Sequence, residues 1–462
     1  MLTKNNIFYL SLGLIFLFIW MFFPGYAVVL FLLFLILFFA YFLEWGLYVF
    51  LILSAFHGFT LVFGNYEWAK HLPYLPAINA PVGDFFGVLL LFSFLIYLFF
   101  TFSRENFILI FNFFKKTFWY FLFLIVALVS LLFVFDHNVS EGLKYFVRWP
   151  LFAYLVFLFL PFAIIKNQNV LNKIIKLWFW LGVGFALYGL GAIFNSSGEW
   201  WRISPYPIFG FTPLVLNHNA LAELLTPIVP LGLWLAWQAK NVLHKSANFY
   251  LFFTGLILAV ALLTLSRSAW LGLLGEAIVL LYFFRAQLAP LWKRASWQKN
   301  IFFVSFIGVF VLIYMGAFVL FSPASLSSTS ARLDTIKVAS WYFSRSPVIG
   351  YGVGSFVPLL NSTKAYIIEY GEPLESHGFI QKIMVEEGLL GLFFFLGFLV
   401  VLFRQFFLLA KKHNSLTPMP VFLLAFALGA VMFQIFDTSY FSYAMWLPLG
   451  IVLASTKFNY AE

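Results

Sequence analysis

Three side chains suited to binding an anion or moving a proton stand far apart along the chain, at Arg267, Arg332 and His377. A guanidinium presents five N–H donors in a planar fork that fits the oxygens of phosphates and carboxylates. An imidazole has an unperturbed pKa of about 6.5, so it accepts a proton near neutral pH without special tuning. Together the three residues predict an anionic substrate and a proton transfer.

The composition places most of the chain in a membrane. Of its 462 residues, 63% are hydrophobic and only 10% are charged, whereas soluble domains average about a quarter charged. The chain has no cysteine, which excludes disulfides, a thiolate nucleophile and cysteine-bound metals. The net charge of +10 does not indicate nucleic acid as a partner, because Lys and Arg gather on the cytoplasmic loops of multi-pass proteins.

Apolar stretches of membrane-spanning length follow one another along the whole chain. They predict an all-α, polytopic membrane helix bundle of about 12–14 spanning helices, with residues 1–462 as one membrane domain. The predicted spans are 6–23, 26–43, 46–63, 84–103, 117–135, 142–165, 177–195, 217–238, 248–265, 268–284, 300–321, 385–409, 419–436 and 440–456. With both termini cytoplasmic, that side carries seventeen Lys and Arg, and the short loops opposite carry five. The long polar segment 322–387 then faces outward.

Five further side chains are candidates for substrate binding. They are Arg148, Lys337, Gln381, His218 and Tyr351. Gln381 follows His377 by one helical turn, so the two share a face of the helix predicted to begin there. His218 and Glu223 open a predicted span, where they form either a polar wall of a cavity or only the cap of a helix.

Charged groups inside spanning helices are costly, so each of them is a functional candidate. Arg148 shares one helical face with Glu141 and Lys144, which favours a structural network of charges over a substrate contact. Glu276 lies within a predicted span, and we expect it to pair with a buried cation. For Arg267, contact with an anionic substrate and a purely interfacial position, in which the side chain reaches lipid headgroups, are equally favoured.

The long polar segment begins with a helix signal, in which a run of serine and threonine precedes Asp334. Leu333 and Ile336 then lie on one apolar stripe, which predicts an amphipathic helix at the outer membrane interface. Arg332 and Lys337 lie off this stripe, where they either contact substrate or only solvate the helix.

One tight turn and one helix start are predicted further along this segment. Gly350-x-Gly352-x-Gly354 lacks the strand and the spacing of a nucleotide-binding fingerprint, so these glycines predict a tight turn beside the membrane. His377 begins a helix that is expected to run directly into the next span.

Four motifs, in their order and separation, closely resemble the O-antigen ligase and polymerase superfamily of membrane glycosyltransferases. They are Thr264-Leu265-Ser266-Arg267-Ser268-Ala269-Trp270, then Ala331-Arg332-Leu333 through Ser346-Pro347-Val348-Ile349-Gly350-Tyr351-Gly352-Val353-Gly354-Ser355-Phe356, then His377-Gly378-Phe379-Ile380-Gln381, and Glu387-Gly388-Leu389-Leu390-Gly391. Asn217-His218-Asn219-Ala220 is similar to the Asn-rich span start of the family. The resemblance covers residues 200–400, and one departure is Gly378, where the family often has Asn.

The resemblance implies a GT-C-like fold and a glycosyltransferase that needs neither a metal ion nor another cofactor. The implied donor is a glycan on undecaprenyl diphosphate, and the implied acceptor is a hydroxyl of lipid A core or of another glycolipid or glycan. The implied location is the bacterial inner membrane, with the active site facing the periplasm or exterior. Carried over by motif, Arg267 and Arg332 would bind the diphosphate, and His377 would be the base that activates the acceptor.

Three alternatives stay open. A polymerase that extends lipid-linked repeats shares the donor and much of the chemistry with a ligase. A protein O-oligosaccharyltransferase is less favoured, because no soluble tail follows the last predicted span. A transporter of lipid-linked glycans would carry ionisable groups deep in several helices, whereas most of those here collect at the outer surface.

Overall fold

The computed structural model describes residues 24–62, 79–101, 103–135, 139–192, 202–208, 211–244, 246–292, 323–373, 375–411, 418–437 and 442–458. The chain divides into two compact units. One comprises Met1–Ile108 with Pro207–Val215, and the other comprises Leu109–Tyr206 with Leu216–Glu462.

Helices make up nearly all the regular structure of the described residues. A chain in lipid has no water to pair with its N–H and C=O groups, and a helix pairs them internally. The helices are α1 (Pro24–Tyr41), α2 (Leu43–Ala55), α3 (Val82–Thr101), α4 (Arg104–Ser130), α5 (Val139–Ile164), α6 (Gln168–Ala192), α7 (His218–Leu225), α8 (Ile228–Asn241), α9 (Asn248–Leu263), α10 (Arg267–Trp292), α11 (Pro323–Arg345), α12 (Phe356–Ser362), α13 (Lys364–Tyr370), α14 (Phe379–Glu386), α15 (Gly388–Lys411), α16 (Met419–Gln434) and α17 (Tyr443–Ser455). Strands β1 (Thr60–Val62) and β2 (Asn79–Pro81) pair antiparallel.

Within the described residues, seven helical segments are long and apolar enough to cross a membrane, and a bent pair would add one more. This confirms the predicted all-α, multi-pass fold. Each predicted span that falls within the described residues contains helix, although α2 ends at Ala55 inside 46–63 and 217–238 is divided between α7 and α8. The spans 6–23 and 300–321 lie outside the described residues. The stretches 26–43 and 46–63 form α1 and α2, which are bent by 119° at their junction and together pass as a single broken span.

In the first unit, α1 and α2 both pack against α3. Gly46 makes this approach close, since a Cβ there would lie 2.6 Å from a methyl carbon of Leu90. In the second unit, α10 and α16 form the most extensive helix pair. A Cβ on Gly272 would lie 3.0 Å from the carbonyl oxygen of Gly429, so small residues set the separation of these two helices.

Helix α5 departs from regular α geometry over Val147–Leu151 and Ala153–Phe159, where it makes wide turns of the π type. Pro150 lies in the first of these stretches and has no N–H to donate. The hydroxyl of Tyr120 in α4 donates a hydrogen bond of 3.0 Å to the carbonyl oxygen of Pro150. The irregular backbone is therefore paired by a neighbouring helix rather than left open.

The long polar segment is mostly helical, since α11 to α14 occupy most of it. Between α11 and α12, Gly350, Gly352 and Gly354 have φ angles of +78°, +90° and +82°. The N–H of Tyr351 donates to the carbonyl of Val385 over 2.9 Å, and that of Gly352 donates to Glu386 over 2.8 Å. The predicted tight turn is present, and it lies against the end of α14.

The helix that was expected to continue from His377 into the next span does not do so, and this prediction was wrong. Helix α14 ends at Glu386, and α15 begins at Gly388, whose φ is +67°. The backbone of residues 347–348 occupies the break, where Pro347 and Val348 accept hydrogen bonds of 2.8 and 3.2 Å from Leu389 and Leu390. A Cβ on Gly388 would lie 2.4 Å from the carbonyl of Val348, so only glycine fits.

Gly352→Ala should destabilise the protein, because its left-handed φ costs a residue with a Cβ about 1–2 kcal/mol. The added Cβ would also lie 2.6 Å from Cγ2 of Val134 and 2.8 Å from the carbonyl oxygen of Ser130. The matched control is Gly255→Ala in α9, which meets nothing within 4 Å and should stabilise by about 0.5–1 kcal/mol. Thermal unfolding of the detergent-solubilised variants measures both, and equal melting temperatures would contradict the expectation.

Candidate functional site

The turn between α9 and α10 positions Arg267 at the first residue of α10. Leu265 within this turn has a φ of +55°, an uncommon conformation for a residue that carries a Cβ. Leu263, just before the turn, accepts a hydrogen bond of 3.0 Å from the N–H of Ile203. Arg267 itself is partly buried, and its Nη1 donates to the hydroxyl of Thr329 in α11 over 3.0 Å.

Arg332 lies one helical turn after Thr329, so both side chains lie on the same side of α11 and Arg267 comes close to Arg332. Burial lowers the pKa of Arg332, the charge of Arg267 lowers it further, and the charge of Asp437 opposes both. The Nε atom of Arg332 is buried and has no hydrogen-bond partner among the described residues. Two guanidiniums are thus held side by side with one acidic neighbour.

The predicted helix of this segment is present as α11, with a buried and an exposed side. Ala331, Thr335 and Ala339 recur every four residues and are buried. Leu333 and Ile336 are exposed despite being apolar. The helix is therefore amphipathic as predicted, and its place at a membrane interface stays a prediction.

His377 lies in the turn that leads into α14. The hydroxyl of Ser376 donates to the carbonyl of Gly378 over 2.7 Å, so the two neighbours of His377 are tied to each other. Gly378 has a φ of +120°, and a Cβ there would lie 2.4 Å from the carbonyl oxygen of Ile435. This contact explains why the position holds glycine rather than asparagine.

Burial, followed by the charges of Arg332 and Arg267, lowers the pKa of His377 to about 4, against an opposing contribution from Glu375. The imidazole is therefore neutral at physiological pH and has a free lone pair for a proton. The same electrostatic coupling shows that the three residues of the predicted site converge, although they are widely separated in sequence.

A largely apolar cavity of about 320 Å³ lies beside His377. Its other walls come from α11, from α14 and from the end of α16, and they include Ile336, Ala339, Gln381, Met384, Ile435 and Phe436. The amide Nε2 of Gln381 is buried, with no hydrogen-bond partner among the described residues. Gln381 thus lies on the same cavity as His377, as their spacing predicted.

The cationic cluster extends to the start of α7. Asn217 caps this helix by accepting a hydrogen bond of 2.9 Å from the N–H of Asn219. His218 follows the cap and experiences the charges of Arg202, Arg332 and Arg267. Arg202 was not among the predicted site residues, although its place beside a tryptophan pair in a loop between two predicted spans was a usable signal.

Glu223 lies one and a half turns further along α7 and is buried. Its Oε1 accepts hydrogen bonds from the amide of Gln434 and, over 2.8 Å, from the hydroxyl of Ser442. Of the two interpretations left open for His218 and Glu223, the cap belongs to Asn217, while Glu223 joins α7 to the end of α16 and the start of α17.

Three candidate residues have partners of their own. Arg148 is exposed and lies over the ring of Trp149, with 4.9 Å between its Cζ and the ring centroid. Lys337 pairs with Asp334 over 2.7 Å, which raises the pKa of Lys337. Tyr351 packs in the apolar cluster of the long segment, 5.6 Å from Tyr342 between ring centroids. Their assignment to substrate binding stays a prediction.

A buried charge network beside His377 escaped the sequence-based prediction. Lys382 in α14 is 2% exposed, pairs with Glu375 over 2.6 Å and lies 3.9 Å from Glu386. Its Nζ also donates to the hydroxyl of Tyr145 in α5. The usable signal was a Lys and a Glu four residues apart on an otherwise apolar helix face.

The buried cation that was expected to pair with Glu276 is not found among the described residues. It is 2% exposed, and neither carboxyl oxygen has a hydrogen-bond partner among the described residues. The carboxyl instead packs against Gly429 of α16, where a Cβ would overlap it.

Glu276→Leu should therefore stabilise the protein by about 1–3 kcal/mol, since it removes a buried polar group that lacks a partner. Glu276→Gln keeps a buried polar group of the same size and serves as the control. Thermal unfolding distinguishes the two cases. A carboxylate that balanced a buried cation would give the opposite sign, a loss of about 3–5 kcal/mol in Glu276→Leu.

The fold and the cluster define a multi-pass α-helical membrane protein with cationic side chains gathered around a neutral histidine. Residues 251–396 match the family model described as O-antigen ligase, Wzy_C. The match runs from α9 into α15 and contains Arg267, Arg332 and His377. It confirms the resemblance to the O-antigen ligase family, whose members are glycosyltransferase-like ligases and polymerases. No curated protein matches the chain.

Proposed function

We propose that the protein is a glycosyltransferase of the O-antigen ligase type. It transfers a glycan from undecaprenyl diphosphate to a hydroxyl of lipid A core or a similar acceptor, at the outer face of the inner membrane. The observation that supports this most is the convergence of Arg267 and Arg332 on His377, within the segment that matches the family model.

The two guanidiniums suit a diphosphate. Held together and partly buried, Arg267 and Arg332 repel each other, and Asp437 offsets this only in part. A bound diphosphate would relieve the repulsion and accept charge-assisted hydrogen bonds, including one from the unpartnered Nε of Arg332. The same contacts would stabilise the negative charge that grows as the diphosphate leaves.

The reaction needs one base. The acceptor O–H gives its proton to the neutral imidazole of His377 while the oxygen attacks the anomeric carbon of the donor sugar. The bond between that carbon and the diphosphate oxygen breaks, and its electron pair leaves with undecaprenyl diphosphate. A single displacement of this kind inverts the anomeric centre.

The donor itself would tune the base. Arg332 and Arg267 lower the pKa of His377 in the empty site. A bound diphosphate would neutralise their charge and favour the imidazolium, so it would raise the pKa toward the ordinary value. His377 would thus become a stronger base only when the donor is in place.

A polymerase would use the same residues, with a second lipid-linked glycan as the acceptor. Purified protein supplied with a native lipid extract that contains donor and acceptors separates the two by product size. One added glycan indicates a ligase, and a ladder of lengths indicates a polymerase. A transporter would move the lipid-linked glycan without forming either product.

His377→Ala should reduce turnover by about 10²–10⁴-fold and should retain the binding of undecaprenyl diphosphate. The reason is that the arginines, and not the imidazole, would hold the anion. The matched control is His244→Ala, because His244 is exposed and lies between α8 and α9. Full activity of His377→Ala would overturn the proposed role of this residue.

The acidic limb of kcat/KM, which reports the free enzyme, should fall near pH 4 rather than near pH 6.5, because the pKa of His377 is lowered to about 4. The acidic limb of kcat should lie at higher pH, because the bound diphosphate raises this pKa. Initial rates measured from pH 2.5 to 8 test both. Coincident limbs would contradict the proposed coupling between the donor and the base.

A further inference from the structure

The orientation of His377 requires an explanation. A general base must point at the proton that it removes, and a third group usually orients it through a hydrogen bond. The imidazole of His377 has no such partner among the described residues, and its environment is defined by burial and by charges alone. Its direction therefore depends on the backbone that carries it.

Both neighbours of His377 in the chain are held in place. On the far side, Gly378 lies against the carbonyl of Ile435. On the near side, Oε1 of Glu375 accepts a hydrogen bond of 3.0 Å from the N–H of Ser376. The same oxygen accepts a hydrogen bond of 2.6 Å from Nζ of Lys382. One carboxylate oxygen therefore links the backbone before His377 to a buried lysine in α14.

Lys382 is fixed by more than this pair. Its Nζ donates to the hydroxyl of Tyr145 and lies 4.7 Å from the centroid of that ring, so it is anchored to α5. Although burial lowers the pKa of Lys382, the charges of Tyr145, Glu386 and Glu375 raise it overall, so the ammonium stays charged.

Of the two nearby carboxylates, Glu375 is the closer partner of Lys382. Burial raises the pKa of Glu386 to about 7, although the charge of Lys382 lowers it, so Glu386 is only partly ionised near neutral pH. Its Oε1 is already engaged by the N–H of Phe356 over 3.0 Å.

We propose that Lys382 and Glu375 are positioning residues for His377. Their ion pair fixes residues 375–378 and so aims the imidazole at the acceptor hydroxyl. This inference rests on the proposed function. Neither residue needs to touch a substrate, because both act through the backbone of the turn.

The charges around His377 make this positioning role detectable as a change in the pKa of His377. Arg332 and Arg267 lower the pKa of His377, and Glu375 raises it. Lys382 offsets the charge of Glu375 through their ion pair. Removing the carboxylate should lower the pKa of His377, whereas removing the ammonium should raise it. A role in stability alone predicts no such opposite pair of shifts.

The experiment compares Glu375→Gln and Lys382→Met with the wild type and with Lys364→Met, an exposed lysine of α13 that serves as the control. Each full-length variant is purified in lipid nanodiscs. Turnover is followed with a native lipid extract that supplies donor and acceptor, from pH 2.5 to 8, and binding is measured with undecaprenyl diphosphate alone.

Glu375→Gln should lose about 10–100-fold in kcat through misplacement of the base, and should bind undecaprenyl diphosphate at least as tightly as the wild type. Its acidic limb in kcat/KM should move to lower pH. Lys382→Met should lose as much kcat, with its acidic limb moved to higher pH. Lys364→Met should behave like the wild type.

Wild-type kcat and an unmoved acidic limb in Glu375→Gln would overturn the inference. Loss of activity that only follows loss of undecaprenyl diphosphate binding would also overturn it. If Lys382→Met does not fold, Glu375→Gln decides alone, because the Glu375 side chain is 36% exposed and tolerates replacement better. An active His377→Ala would overturn the proposed function itself. An inactive His377→Ala beside a normal Glu375→Gln would overturn only the positioning role.

Discussion

A backbone N–H or C=O group that leaves a helix in the buried interior or in lipid must find another partner, because neither offers water. The long segment leaves helical structure between α11 and α12, and Tyr351 and Gly352 donate to the last carbonyls of α14. In return, the first N–H groups of α15 donate to Pro347 and Val348. This reciprocal pairing accompanies the three left-handed glycines and the break between α14 and α15. The turn before α14, which carries His377, is held separately through Glu375, Ser376 and Gly378.

The second organising element is electrostatic. Arg267 and Arg332 come from different helices, and Arg267 is bonded to Thr329 on the helix that carries Arg332, while Arg202 extends the positive region toward His218. Such a cluster is unfavourable alone, and its free energy improves when an anion binds. The histidine at its edge is neutral first because it is buried and then because of the same positive charges. Anion binding and base strength are therefore coupled without a moving part.

Much of the helical fold could be predicted, because a span in lipid needs only length and apolarity. The motifs singled out Arg267, Arg332 and His377, which the structure brings near one another. Their catalytic roles stay a prediction. The break at Gly388 could not, because a glycine inside an apolar pattern is compatible with a continuous helix. The contact of Lys382 with Tyr145 joins residues 237 positions apart, and local spacing does not encode it. Glu276 was expected to have a cation, yet the apolar contact between α10 and α16 leaves it without a partner among the described residues.

The turn of residues 350–354 has a consequence for biosynthesis. Its backbone contacts parts of the chain made long before it, since Val353 donates to the hydroxyl of Ser130 and Phe135 donates to Tyr351. It also contacts Val385 and Glu386, which the ribosome makes later. The turn therefore closes only after translation has passed residue 386, and until then the end of α4 lacks its partners. Maturation of this region is a late, post-insertion event in which the first and last thirds of the polypeptide meet.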